Sequence, residues 1–329
     1  MKDAVLILTS APDVSVNPVI ACFEQMDQKY LKFNTETFPR DSQVNLELSD
    51  KNLDGMLRIA DNPIISLMEI KSCWYRGTRS PENLSVLPEG YFKLVKEEST
   101  AALWSLYTTL ETFWMNKPVV ANRLLEHNKF FQLKCASRHG LLVPRTIITN
   151  DPKNLLEFCR ACGGSIAVKM LKGHLFVDSA SGEIYTLYTN RVSEDELRTH
   201  FESIRIAPVF AQEYIPKKLE LRITIVGNNV FTCAIHSQDS TRTQDDWRRY
   251  DFGNVRHEQF DLPNEVRDAL LKLMKSWDLS FGAIDMILTP EGQYVFLEIN
   301  PSGQWGWIEE LTGMPISRAI AELLSNPPL

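Results

Sequence analysis

The chain has no long apolar run: nothing in its 329 residues approaches the roughly 20 apolar residues of a membrane span. Its start, MKDAVLILTSAPD, holds only about five consecutive apolar residues, too few for the core of a signal peptide. It reads as a first β-strand. Disulfide spacing is missing as well. Six cysteines, at positions 22, 73, 135, 159, 162 and 233, follow no framework pattern, and a chain of this length needs no covalent staples. Cys159 and Cys162 form a C-x-x-C inside the helical pattern PKNLLEFCRACGG, without the second pair that a zinc site needs. Structural thiols and a cytoplasmic location, with no membrane partner, are the expectation. Positive charge is in deficit: 35 Lys and Arg against 42 Asp and Glu give a net charge of −7, which argues against duplex nucleic acid as a main partner. No internal repeat or low-complexity segment is present.

What the chain does have is alternating strand and helix patterns, an α/β (more broadly α+β) signature, in a length that calls for two or three subdomains. Residues 1–117 read as an N-terminal α/β unit: strand VLILTS, helix NPVIACFEQM, a strand near YLKFNTE, segments around NLELSD and DGMLRIA, then WYRG at Trp74–Gly77. From Tyr91 to Met115 an amphipathic run predicts a packing helix, with Leu94, Ala101, Trp104, Tyr107 and Phe113 on one stripe. Residues 118–208 read as a central unit: strand VVAN, helix NKFFQLKCASRHG capped by Asn128 and stopped at Gly140, strand PRTIIT, a helix over 152–162, strand SIAVKM, the loop LKGHLF, a hairpin across 179–183 and a helix near Ser193. Strand PVFAQEYI opens a third unit, 209–329.

Two hairpins dominate that third unit. In ELRITIVGNNVFTCAIHS, Gly227–Asn229 suits a three-residue loop. Leu221, Ile223 and Ile225 then share an apolar face with Phe231, Cys233 and Ile235, while Glu220, Arg222, Thr224, Thr232 and His236 face water or a ligand. In FGAIDMILTPEGQYVFLEINP, a turn at TPEG sets Leu288 opposite Gln293 and Asp285 opposite Phe296. Residues two apart share a face of a strand, so Asp285, Glu298 and Asn300 project to one side, with Asp285 diagonal to Glu298 at roughly 7 to 8 Å. Such an oxygen set suits Mg2+, which is usually held by one or two carboxylates together with nucleotide phosphates. A surface hairpin with solvated acids has the same pattern.

Taken in order, Lys129, Lys169, Gln212-Glu213-Tyr214-Ile215, Glu220, Arg222, Asp285, Glu298 and Asn300 resemble the signature of ATP-grasp ligases over residues 118–329. WYRG, IHSQDSTRTQDDWRRYD and NPSGQWGWIEELTGMPISRAIAELL are similar to the branch that matures microviridins and related graspetides, which extends the likeness to the whole chain. The resemblance implies an ATP-grasp fold in which ATP and Mg2+ are held between the central and C-terminal units. Lys129 and Lys169 would reach the phosphates, Gln212–Ile215 would meet adenine through their backbone, and Glu220 would meet ribose. Asp285, Glu298 and Asn300 would hold magnesium. Arg222, with Lys169, would stabilise the transferred phosphoryl group. One departure stands out: LKGHLFVDSASG has few glycines where relatives often carry a glycine-rich lid, leaving Lys172, Gly173 and His174 to cover the phosphates.

For the graspetide branch, the resemblance further implies a leader-guided precursor peptide. Its Asp or Glu side chains would become acyl phosphates, then be attacked by Ser or Thr hydroxyls or Lys amines to give macrocyclic ω-esters or ω-amides. Arg242, Arg248 and Arg249 form a local basic cluster suited to an acidic core peptide, or a solvated loop paired with Asp245 and Asp246. Trp305 and Trp307 are candidates to wall the acceptor pocket, with packing of one of the two under the sheet as the alternative, and Ser302 and Gly303 are candidates to offer backbone amides to an acyl phosphate. Many relatives are dimers, so a homodimer is expected. A carboxylate-amine ligase adding a free amino acid, and a nucleotide-binding scaffold without catalysis, share the same motif set.

Overall fold

The computed structural model describes residues 3–50, 52–82, 88–125, 128–172, 175–178, 181–249 and 251–328. The N-terminal sheet is parallel, in the order Tyr30–Asn34, Ala4–Thr9, Ile70–Tyr75, Phe113–Met115. Ala4–Thr9 is buried along its whole length, as a central parallel strand covered on both faces must be. Ser42–Ser49, Asn52–Ile59 and Ile65–Ser66 form a small antiparallel sheet beside it. The long helix is Glu89–Thr109, and Phe113 lies in the strand that follows. Its buried residues are Ser99, Leu103, Leu106 and Tyr107, whereas Leu94 and Ala101 are exposed, so of the stripe drawn from the sequence Tyr107 alone is buried in the helix and Phe113 falls beyond its end.

The second sheet is antiparallel, in the order Asn190–Ser193, Ser165–Lys169, Val209–Glu213, Thr146–Thr149. Helix Pro152–Ala161 packs on it over a small core containing Leu155, Leu156, Ile166 and Ala211. Val209–Glu213, expected to open the third unit, is therefore bonded between two strands of the second sheet. Residues 119–125, expected as strand VVAN, form a wide helical turn instead.

The third sheet has five antiparallel strands, in the order His257–Gln259, Asn229–Ile235, Leu219–Val226, Phe281–Leu288, Tyr294–Asn300. On one face lie helices Lys129–Arg138 and Asn264–Ser276, in a core with Leu221, Ile223, Ile225 and Phe296. The first of these is capped by Asn128, whose Oδ1 accepts from the Phe131 amide at 3.3 Å. On the other face lies the C-terminal helix Ile316–Ser325 with Trp305, sharing one core with Val5, Ile7 and Trp74 of the N-terminal sheet. Asn116 ties the units together, its amide donating to the carbonyls of Phe281 and Pro301 at 2.8 and 2.7 Å.

Both hairpin registers differ from expectation by one residue. Val226 pairs with Asn229, leaving a two-residue Gly227-Asn228 loop with Gly227 at φ +59°. Leu221, Ile223 and Ile225 thus oppose Ala234, Thr232 and Val230, while Phe231, Cys233 and Ile235 line up with Thr224, Arg222 and Glu220. A one-residue slip exchanges the faces of a strand, and here both faces of Leu219–Val226 are covered. In the second hairpin Leu288 opposes Tyr294, and a bulge at Leu297 brings Asp285 directly opposite Glu298 instead of Phe296. The extra residue keeps Asp285, Glu298 and Asn300 on one side and shortens the diagonal to a cross-strand pair.

Candidate active site

The cleft lies between the second and third sheets and is lined by Ala167, Lys169, Gln212–Ile215, Lys217, Glu220, Asp245–Arg248, Asp285, Ile287, Leu297 and Glu298, among others. Lys169 ends its strand there. Lys129 begins a helix that Gln132 clamps to the edge strand: Gln132 Nε2 donates to the Ile299 carbonyl at 3.0 Å, and its Oε1 accepts from the Ile299 amide at 2.9 Å. This two-way bond sets Lys129 Nζ 3.0 Å from Glu298. Gln132 was not identified from sequence, where it reads as one more helical polar residue.

Arg222 sits on the strand next to Asp285 at the same register position, and its Nη1 donates to Asp285 Oδ1 at 2.9 Å. Its Nη2 donates to the Gln304 carbonyl at 3.3 Å, while Nε is buried without a hydrogen-bond partner among the described residues. A buried donor left open is uncommon in native proteins. Burial works against ionising Glu298, yet Lys129, Lys169 and Arg248 outweigh it and hold the carboxyl down to about 2. Burial raises Asp285, with Arg222 opposing and Glu298 adding to the rise. Burial lowers Lys169 to about 8, partly offset by Glu298.

At the far end, Gln212 Nε2 donates to Thr146 Oγ1 at 3.1 Å, the Glu213 amide donates to the Arg145 carbonyl at 2.9 Å, and the Tyr214 hydroxyl donates to Asp245 at 3.0 Å. Ile215 completes this wall. Glu220 is buried, which raises its carboxyl against the opposing charge of Lys217. Lys217 spends its ammonium on Glu220 at 3.0 Å and on the carbonyls of Gln244 and Asp245 at 3.1 and 2.8 Å. It too was missed, being one of two adjacent lysines with no sequence cue to burial. His236, which shares the sequence-predicted polar face with Glu220, bonds Glu258 at 2.8 Å.

The arginine cluster divides. Arg248 enters the cleft and pairs with Asp246 at 2.6 Å, Arg249 donates to Asn190 at 2.8 Å, and Arg242 is exposed. Two other expectations are corrected. The Ser302 amide donates to Asn300 Oδ1 at 2.8 Å and the Gly303 amide to the Asn300 carbonyl at 3.2 Å, so neither points at a phosphate. Trp305 has no exposed surface, its ring packing on Trp74 and Phe281 and its Nε1 donating to Ser317 at 3.0 Å. Trp247 lines the cleft in its place and stacks on Trp307 at 5.0 Å. Gly173 and His174 of the expected lid lie outside the described residues.

Magnesium fits the donor set. Asp285 and Glu298 face each other across adjacent strands with Asn300 one strand repeat away, and hard oxygen donors are what that ion takes. Among the described residues no three His, Cys, Asp or Glu side chains gather at one point. A metal held here relies on two carboxylates, Asn300 and oxygens of a ligand.

Two sheets closing on a cleft of lysines, an arginine and paired carboxylates define an ATP-grasp ligase. Residues 4–122 match the MvdD pre-ATP grasp domain family and residues 126–324 the RimK-like ATP-grasp domain family; the chain belongs to the latter family. It is similar to a RiPP-associated ATP-grasp ligase of Chryseobacterium gregarium, solved with ADP and a leader and core peptide, at 28% identity and TM-score 0.89, covering 99% of this chain and 98% of that one. The macrocyclase MdnC of Microcystis aeruginosa MRC, solved with precursor peptide MdnA, is similar at 32% identity and TM-score 0.83, covering 98% and 99%. A probable alpha-L-glutamate ligase of Vibrio vulnificus is 24% identical over 255 residues, 77% of this chain and 79% of its own. No described helix is long and apolar enough to cross a membrane.

Proposed function

We propose that the protein uses ATP to activate Asp or Glu side chains of a ribosomally made precursor peptide as acyl phosphates, which Ser or Thr hydroxyls or Lys amines attack to close macrocycles. The observation that carries this reading is the convergence of Lys129, Lys169, Arg222, Asp285 and Glu298 in one cleft, within a likeness to a macrocyclase that runs the length of both chains. Lys129 and Lys169 meet phosphate oxygens as point charges. Gln212–Ile215 present backbone to adenine, and Glu220, ion-paired with Lys217, accepts from ribose. Arg222 carries the charge that develops on the transferred phosphoryl group. Asp285, Glu298 and Asn300 hold Mg2+, which when bound supplies further neutralisation of the phosphate charge.

The enzyme contributes position and field more than covalent chemistry. Arg248 and Trp247 line the cleft, and exposed Arg242, with Arg249, draws an acidic core peptide. We place the protein in the cytoplasm and expect a homodimer. Incubation with ATP, Mg2+ and a Thr/Ser- and Asp/Glu-rich precursor yields ADP and a peptide lighter by one water per link. A peptide heavier by an amino acid identifies the glutamate-ligase chemistry that the Vibrio relative raises. ATP binding without ADP formation identifies a non-catalytic scaffold.

A further inference from the structure

The WYRG segment has no part in the chemistry so far, yet its arginine is among the most enclosed charges in the protein. The Arg76 side chain is 3% exposed and lies at the end of strand Ile70–Tyr75 in the N-terminal unit. Its Nε is 3.2 Å from Asp13 Oδ2, and Nε and Nη2 donate to Ser15 Oγ at 3.2 and 3.1 Å. Its Nη1 reaches across to the third unit, donating to the Ser302 carbonyl and, at 3.2 Å, to that of Gly303. The guanidinium lies 4.8 Å from the centre of the Trp305 ring.

The next carbonyl, Gln304, is the one that accepts from Arg222. Three consecutive carbonyls are thus divided between two buried guanidiniums from different units. Burial lowers the affinity of Arg76 for its proton, Asp13 restores part of it, and the charge of Arg222 works against it. A buried cation beside a second one is costly, and an apolar side chain against Trp305 would fill the space more cheaply. What the arrangement does is tie one loop of the third unit to the N-terminal unit.

We propose that Arg76 is a positioning residue: by holding the 302–304 loop it sets the Gln304 carbonyl that, with Asp285, orients Arg222 for phosphoryl transfer. The inference rests on Arg222 acting at the transferred phosphoryl group. Lysine cannot reproduce the planar fork that serves Asp13, Ser15 and two carbonyls together. R76K is therefore expected to lower kcat for ADP formation by about 100-fold, the cost of roughly 1 Å of misplacement, with ATP KM little changed.

In an R222K background the same change adds little further loss, because both substitutions act on one group. The Nε–H NMR signal of Arg222, assigned by its disappearance in R222K, shifts in R76K. If R76K does not fold, D13N keeps an Oδ1 acceptor for Ser15 but turns the Oδ2 that faces Arg76 Nε into an uncharged NH2 donor, and a smaller kcat loss and a shift of the same signal are expected. Wild-type kcat with an unmoved Arg222 signal overturns the proposal, as does a loss of equal factor in both backgrounds. If the wild-type protein forms no ADP with any acceptor, the ligase reading fails, while the NMR measurement still decides whether Arg76 orients Arg222.

Discussion

Replacing Gly303 by alanine tests how tightly the loop after strand Tyr294–Asn300 is set against Arg222, the arginine proposed to act at the transferred phosphoryl group. A Cβ at position 303 falls 2.3 Å from the Ala283 Cβ, 2.8 Å from Arg222 Nη2 and 3.4 Å from the Asn300 Cβ. Gly303 is not among the residues at positive φ, so the cost is space alone. Ala283 cannot yield: it is fully buried and pairs with Thr224 on one side and Asn300 on the other. The loop must retreat by about 1 Å to reach ordinary contact, carrying the Gln304 carbonyl with it and pressing on Arg222.

Overpacking of this kind costs about 1–3 kcal/mol, a fall of roughly 2–10 °C in Tm for a domain-sized unit. Displacement of about 1 Å at the reacting groups costs on the order of 100-fold in rate. G303A should therefore lose kcat far beyond any loss of folded protein. The assay pairs thermal unfolding with ADP release at saturating ATP, Mg2+ and peptide. A variant with wild-type kcat and a lowered Tm would show that the close approach of loop and arginine has no bearing on chemistry.

Two further outcomes follow from the charges in the cleft. Lys169 is held near 8, below its ordinary value, so the unfolded chain binds the extra proton between that pH and the ordinary range; stability rises with pH through this window, while a neutralising lysine loses its grip on phosphate. We expect kcat/KM for ATP to fall as pH rises through about 8 and K169R to flatten the profile; identical profiles for both proteins would rule the lysine out. K217M leaves Glu220 buried without its cation, a loss of about 3–5 kcal/mol by the usual cost of breaking such a pair. Its Tm and ATP affinity should both drop, and an unchanged Tm contradicts the pairing.

The elements were legible wherever periodicity or capping was local: strands Ala4–Thr9 and Tyr30–Asn34 of the N-terminal sheet, the Asn128 cap, the Pro152 helix and both third-unit hairpins. Register was not, because a two-residue loop in place of three and a bulge at Leu297 leave no mark in composition, yet each decides which face a side chain takes. The cleft's cations and carboxylates were named through their order along the chain. Gln132, Lys217, Trp247 and Arg76 were missed as site residues because their roles depend on partners from 3 to 227 positions away. Ser302 and Gly303 were misjudged for the complementary reason, since the local turn at Asn300 uses their amides.

The ion pairs Lys129–Glu298 and Arg222–Asp285 give the cleft a closed electrical circuit in the protein alone. ATP bound there without a metal would draw the two cations away and strand two half-buried carboxylates. A metal without nucleotide would take the carboxylates and strand the cations. On the proposed reading, only the two arriving together would exchange every partner at once, so the same four side chains would both bind the complex and discriminate against either component by itself. Affinity for the pair should exceed what the separate affinities predict, a coupling that resides in the resting pairs as much as in the contacts that replace them.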